Sequence, residues 1–246
     1  MDQMKRRTIC KVCAALFWGG MFWSPAILLL AQPAGKKAVQ KVKATTDFEL
    51  TTDTSNVHWM GAPWISLPAR EGTTNDRLTK AKLLYSTKGI YGLFFCEDQK
   101  ITATLQQDFA DLYNEDVVEI FFWPDENFPI YFEYELSPLN YELAILVPNF
   151  EGKFLGWRPW HYENERLTRH QVNIVRQGEK VSGWMASFFI PYTLLDPLQG
   201  VPPRKGTRWR ANLYRIDYDQ GSADWSWQPT KVNFHDYRLF GTLVFD

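Results

Sequence analysis

The chain has 246 residues, 27 Lys+Arg against 28 Asp+Glu, and a formal net charge of −1. That balance lacks the basic footprint that nucleic-acid binding requires, and the polybasic character that draws a protein to anionic membranes, so both partners are excluded. Aromatic residues reach 16%, a content that either a large β core or a sugar-binding face would absorb.

In chain order, the first segment sets the expected compartment. Lys5, Arg6 and Arg7 precede an apolar run from Ile9 to Leu30, and Ala31 supplies a small residue before Gln32 and Pro33. Residues 1–31 therefore read as a secretory signal peptide, and the protein as exported: periplasmic, cell-surface or secreted. The alternative, an uncleaved anchor, is weakened by Gly19, Gly20 and Pro25, so the mature form is expected to have no membrane segment. Cleavage is expected after Ala31, with Ala34 as the alternative site. Cys10 and Cys13 fall within this leader, which leaves Cys96 as the only cysteine and rules out an intramolecular disulfide. Removing the leader's four Lys/Arg and one Asp leaves 23 basic and 27 acidic residues, a net charge of −4, and nine Trp.

Residues 32–47 read as a flexible linker, with Lys36, Lys37, Lys41 and Lys43 set among small residues. From Phe48 the signals are those of strands, and residues 48–246 read as one domain. Lys80–Ser86 and Gly89–Cys96 flank Thr87-Lys88 as a hairpin. Asp116–Trp123 reads as a buried strand carrying one acid, Glu119. Tyr131–Leu136 alternates, with Tyr131, Glu133 and Glu135 on one face and Phe132, Tyr134 and Leu136 on the other. Further strands are expected at 141–147, 171–176, 183–190, 208–218 and 241–245. Residues 148–168, with Trp157, Arg158, Trp160, His161 and Tyr162, read as a long loop. Pro191–Leu198 opens with proline at a helical first turn and is the one short helix expected. The fold class is all-β, a β-sandwich or jelly roll with one short helix.

Four segments carry a family likeness: GIYGLFFCED (89–98), LYNEDVVEIFF (112–122), WSWQP (225–229) and FHDYRLFGTLVF (234–245). In order and spacing the chain resembles carbohydrate-binding module family 9 and its relatives, over Phe48–Asp246. The resemblance implies a β-sandwich related to the haem- and sugar-binding DOMON domains. It also implies binding of oligo- or polysaccharide of the plant-type xylan or glucan class, beside other polysaccharide-degrading proteins. The family clamps a sugar between two aromatic rings, because a pyranose has apolar C–H faces and a polar rim. The resemblance places Tyr113 and Phe234 in those positions, where the family usually has Trp.

Glu119 matches the family's hydroxyl-binding glutamate. The structural alternative is an ion pair with Arg210 or Arg215, since an unpaired carboxylate among apolar neighbours is costly. Where the family uses an arginine, this chain has Glu133, and Arg215 or Arg238 is expected to replace the missing cation. Asn212 and Tyr214 fall where the family presents polar side chains. Trp225 and Trp227 are expected to turn to opposite sides, one into the core and Trp227 toward the cleft. Trp157 and Trp160 are expected either to add a platform or to fold down as a lid.

No cofactor is called for by any motif. His58, His161, His170 and His235 are not spaced as a zinc pair. Asp108, Asp111, Asp116, Asp125 and Glu126 could build a loop calcium site, although their spacing matches no calcium loop. Two other functions stand as alternatives. One is a glycosidase using Glu119 and Glu133 as its two carboxylates. The other is a haem-binding electron carrier, for which only Met60 and Met185 and the four histidines offer ligands.

Overall fold

In a computed structural model of the chain, residues 37–73 and 77–246 are described. The expected leader and the first part of the expected linker lie outside them. Among the described residues, fourteen strands run β1 (Val39–Ala44), β2 (Ile65–Ser66), β3 (Thr79–Tyr85), β4 (Gly89–Glu97), β5 (Val117–Trp123), β6 (Ile130–Leu136) and β7 (Glu142–Phe150). They continue with β8 (Lys153–Phe154), β9 (Arg158–Pro159), β10 (Arg169–Gln177), β11 (Lys180–Pro191), β12 (Arg208–Asp217), β13 (Ala223–Ser226) and β14 (Gly241–Phe245). The hydrogen-bonded order is β10-β11-β4-β3-β1-β14-β12-β5-β6-β7-β8. Neighbours are antiparallel except at β1, which pairs in parallel with β14 and with β3.

Two layers result, one built on β10, β11, β4 and β3 and the other on β14, β12, β5, β6 and β7. Alternation along each strand assigns the faces. On β5, Val118, Ile120 and Phe122 join the inter-sheet core, while Val117, Phe121 and Trp123 belong to a second cluster on the outer face. On β6, Phe132, Tyr134 and Leu136 go inward, and Tyr131 goes outward. The main core also takes Phe94, Trp184, Phe188, Trp209, Leu213 and Phe245 from both layers. This is the sandwich that the strand pattern predicts.

The hairpin between β3 and β4 is pinned by Ser86, whose hydroxyl oxygen accepts from the N–H groups of Lys88 and Gly89. Gly92 on β4 lies against the Phe188 ring, where an added Cβ would come within 2.1 Å; only glycine fits that crossing. The expected helix forms as α2 (Tyr192–Leu195), started by extended Pro191. A second one-turn helix, α1 (Val57–Met60), was not expected. The Asn56 side chain caps it by accepting from His58 N–H, and it buries Trp59. No helix among the described residues is long and apolar enough to cross a membrane.

The expected linker needs correction. Its residues 39–44 form β1, which pairs Val39–Val42 with Thr242–Phe245 and Lys43–Ala44 with Leu84–Tyr85. Only Val42 of this strand is buried, so the sequence carries almost no apolar alternation there. The strand is held by backbone hydrogen bonds to both neighbours, which leave no such signature.

Arg215 sits on the inward face of β12 with Trp209, Ala211 and Leu213. Its Nη2 reaches Asp98 Oδ2 at 3.1 Å and Asp217 Oδ2 at 2.7 Å. Arg77 Nη1 completes the cluster, 2.9 Å from Asp98, 2.7 Å from Asp217 and 2.8 Å from Asp219. Two guanidinium groups thus neutralise three buried or nearly buried aspartates. Burial still pushes the Asp98 carboxyl up to about 6 against the pull of Arg215.

Candidate functional site

The outer face of β5, β6 and β12 forms the floor of a cleft of about 440 Å³. Three floor residues are carboxylic acids. Glu119 on β5 lies directly across from Glu135 on β6, and Glu133 is two residues along the same strand. Period-two alternation puts the two β6 acids on one face. All three are buried, with exposures of 2%, 3% and 1% for Glu119, Glu133 and Glu135. One oxygen from each lies within 4.8 Å of the others.

Aromatic rings stand around these acids. Tyr113 lies in a 3₁₀ turn (Leu112–Asn114) at the approach to β5 and meets Trp157 edge to face, with centroids 6.4 Å apart. Phe234 lines the cleft from the segment before β14. It is stacked from behind on buried Tyr214, with centroids 4.0 Å apart and planes within 8°. Phe154 from β8 stacks on His235 at 4.1 Å, and both line the cleft. Ring faces of this kind can cover apolar surface, while the floor offers carboxyl groups for hydrogen bonding.

Each wall is braced. Tyr218 donates its hydroxyl to Tyr113 O, and the Glu115 carboxylate accepts from the Thr104 and Leu105 N–H groups. Tyr214 donates to Phe234 O and itself accepts from Asn212 Nδ2. Asn212 also accepts from Gln228 N–H and donates to Gln228 O. Tyr214 and Asn212 therefore hold the 228–234 segment from beneath rather than lining the cleft.

The electrostatics follow from burial. Burial pushes Glu119 up to about 8, with the Asp224 charge adding to it. Burial holds Glu133 and Glu135 well above the ordinary carboxylate range, and the nearby Glu119 charge raises both further. His235, which shares a 2.7 Å hydrogen bond with the Tyr131 hydroxyl, is pushed down to about 4 by burial and is neutral at physiological pH. Glu133 and Glu135 share a side-chain hydrogen bond, and among the described residues no other partner reaches Glu133 Oε2 or either oxygen of Glu135.

The ion pair considered for Glu119 does not form. Arg215 faces the other side of β12, and Arg210 pairs with Glu126 at 2.9 Å. The cation of the cleft is neither Arg215 nor Arg238 but Arg70, from the loop between β2 and β3. Its guanidinium lies 4.9 Å from the Phe234 ring centre and 3.2 Å from Asp224 Oδ2, and it donates to Thr230 O.

No protein-family model and no curated protein matches the chain. Solved structures do match. A carbohydrate-binding module family 9 from Caldicellulosiruptor kristjanssonii, in complex with cellotriose, aligns with TM-score 0.63 at 15% identity, over 85% of this chain and 94% of that one. The glucose complex aligns at 0.61 and 14%, over 84% and 96%. This chain has the family 9 fold. A candidate carbohydrate-binding protein from Bacteroides uniformis shares it, with TM-score 0.69 and 16% identity, over 86% of this chain and all of that one.

On the family 9 fold of this chain, Tyr113, Glu119, Glu133, Trp157 and Phe234 come together in one cleft. Trp160 does not join them. It packs against the inter-sheet core and donates Nε1–H to Leu194 O, beneath the Arg166 guanidinium. Trp227 is also elsewhere, with its ring on Gly241 and the inter-sheet core. Trp225 and Trp227 both pack on that core, because residues two apart on an extended segment share a side; the expectation of opposite sides is corrected.

The acids considered for calcium are used separately. Asp116 accepts from Thr102 and Tyr218 N–H, Asp108 from Glu142 N–H and Asp125 from Asn127, while Glu126 pairs with Arg210. Sequence reasoning missed Arg70, Asp224, Phe154 and His235 as cleft residues, and did not single out Glu135. Period two along β6 already placed Glu135 beside Glu133. Arg70 and Phe154 lie in a loop and a two-residue strand with no pattern to mark them.

Proposed function

We propose that this is an exported protein that binds saccharide in the cleft between Tyr113, Trp157 and Phe234, with Glu119 accepting hydrogen bonds from sugar hydroxyls. The observation that carries the reading is the pairing of aromatic walls with a carboxylate floor in one braced cleft. Ring planes match the apolar faces of a pyranose, and carboxylates are strong acceptors for its hydroxyls. The family 9 module from C. kristjanssonii is complexed with cellotriose and with glucose, which supports a saccharide ligand; the proposed ligand is of the xylan or glucan class and the proposed role is beside polysaccharide breakdown. A third acid, Glu135, opposite Glu119 favours a binding floor over the two-carboxylate arrangement of a glycosidase.

The test is calorimetric titration of the mature chain with xylo-, cello- and manno-oligosaccharides. Binding without release of reducing sugar is expected. Tyr113→Ala should weaken it by roughly tenfold to a hundredfold, the range for loss of an aromatic stacking platform, at an unchanged melting temperature. Wild-type affinity in a Tyr113→Ala chain that melts early would make Tyr113 a core residue and defeat the clamp. Export is checked by N-terminal mass analysis from a secreting host, where a start at Gln32 is expected and an intact Met1 in the membrane fraction is the contrary result.

A further inference from the structure

We propose that the cleft selects a saccharide carrying a free protonated amine, an amino sugar whose ammonium is received by Glu119, Glu133 and Glu135. This deepens the saccharide reading and rests on it. A neutral sugar hydroxyl brings a donor and also acceptor lone pairs, and needs both kinds of partner. Once ionised, the floor supplies only acceptors. Two polar groups beside it are already engaged, Arg70 with Asp224 and Thr230 O, and His235 Nδ1 in a hydrogen bond with the Tyr131 hydroxyl. An ammonium has three donors and no acceptor, which matches three convergent carboxyl groups.

The unmet oxygens point the same way. Glu133 and Glu135 are buried and bond only to each other among the described residues, with no other donor at Glu133 Oε2 or at either oxygen of Glu135, and such groups are costly unless something fills them. The surrounding charge reinforces the preference for a cation. Asp111 adds negative charge at the edge of the floor, and the positive charge of Arg70 is offset by Asp224 at 3.2 Å. The Tyr113 and Trp157 rings present faces that attract cations as well as sugar C–H groups. A cleft of about 440 Å³ is far larger than a bare metal ion needs, which favours an organic cation over a divalent one. A ligand ammonium also draws the acids into their charged form, so binding should release protons near neutral pH.

The experiment compares three β-1,4-linked disaccharides on the wild-type mature chain by calorimetry, at about pH 6 where sugar amines are charged, with chelator present. They are the glucosamine disaccharide, its N-acetylated form and cellobiose. The free amine is expected to bind roughly tenfold or more tighter than either neutral sugar, as charge-assisted hydrogen bonds at a buried site allow. Glu135→Gln should shrink that advantage. Equal or weaker binding of the amine, with cellobiose still bound, overturns this inference and leaves the saccharide reading standing. Failure of all three sugars and of the wider oligosaccharide panel overturns both. A parallel titration with calcium alone provides the remaining arm. Calcium binding that is lost in Glu135→Gln, with no preference for the amine, would assign the floor to a metal instead. The decisive comparison is between ligands on one chain, so it does not depend on a variant folding.

Discussion

Replacing Glu119 by Gln keeps the side chain's shape and removes its charge from the buried floor. In the wild type, burial and Asp224 push this carboxyl from 4.5 up to about 8. A group whose folded-state pKa is raised contributes its full stability below the unfolded value and loses it as pH rises through the folded one. The fold is therefore most favoured near and below pH 4.5 as far as this group is concerned, and gives up stability up to about pH 8. At 1.36 kcal/mol per pH unit, the interval corresponds to about 5 kcal/mol. For a domain of this size that is about 10–20 °C of melting temperature. The substitution also removes the Glu119 charge that raises Glu133 and Glu135, which lowers the cost of ionising both. Ligand-free thermal melts at pH 5, 7 and 9 provide the assay. Wild type and Glu119→Gln should melt alike near pH 5, and the variant should melt well above wild type at pH 9. Parallel curves across that range would refute the reasoning, because they would mean that Glu119 ionises in the fold without cost.

Trp157→Ala and Trp160→Ala should separate cleanly. Loss of Trp157 should weaken saccharide binding by about tenfold with little change in melting. Loss of Trp160, which packs on the core and bonds to Leu194 O, should cost about 2–4 kcal/mol of stability and leave affinity unchanged, as read by calorimetry and melts on the same samples. Arg77→Ala leaves Asp98, Asp217 and Asp219 with Arg215 alone and should destabilise by about 3–5 kcal/mol at neutral pH. Part of that loss should return in melts below pH 6, where Asp98, already pushed up to about 6, takes up a proton. Deleting residues 37–44 removes both parallel pairings of β1 and exposes the edges of β14 and β3. The expected result is a lower melting temperature and aggregation in light scattering, whereas a true linker would be dispensable.

The layers were legible because alternation is strong where a strand has one face in the inter-sheet core. Phe132, Tyr134 and Leu136 against Tyr131, Glu133 and Glu135 assign β6 without any coordinates. The same rule places Arg215 inward with Trp209, Ala211 and Leu213, so its exclusion from the cleft was readable along β12. Glu119, Tyr113 and Phe234 were legible because they lie in segments that carry the family likeness, whereas Glu133 and Glu135 lie outside those segments and share a face by alternation along β6. Arg70 was not, since its place depends on how the loop between β2 and β3 crosses to Asp224 and Phe234, a contact 154 residues apart in sequence. Trp157 and Trp160 are three residues apart in an irregular segment, where no periodicity says which ring turns outward. β1 escaped detection because backbone pairing on both sides held a segment with a single buried apolar residue.

The bracing behind Phe234 and Tyr113 bears on the kinetics of recognition. Phe234 is backed by a parallel ring and its carbonyl is tied to Tyr214, which Asn212 in turn anchors to Gln228. The Tyr113 turn is fixed through Tyr218 and Glu115. A ligand entering such a cleft orders few protein torsions, so little conformational entropy opposes association. Encounter should then proceed at similar rates for all sugars that fit, and discrimination among them should appear in how long each one stays.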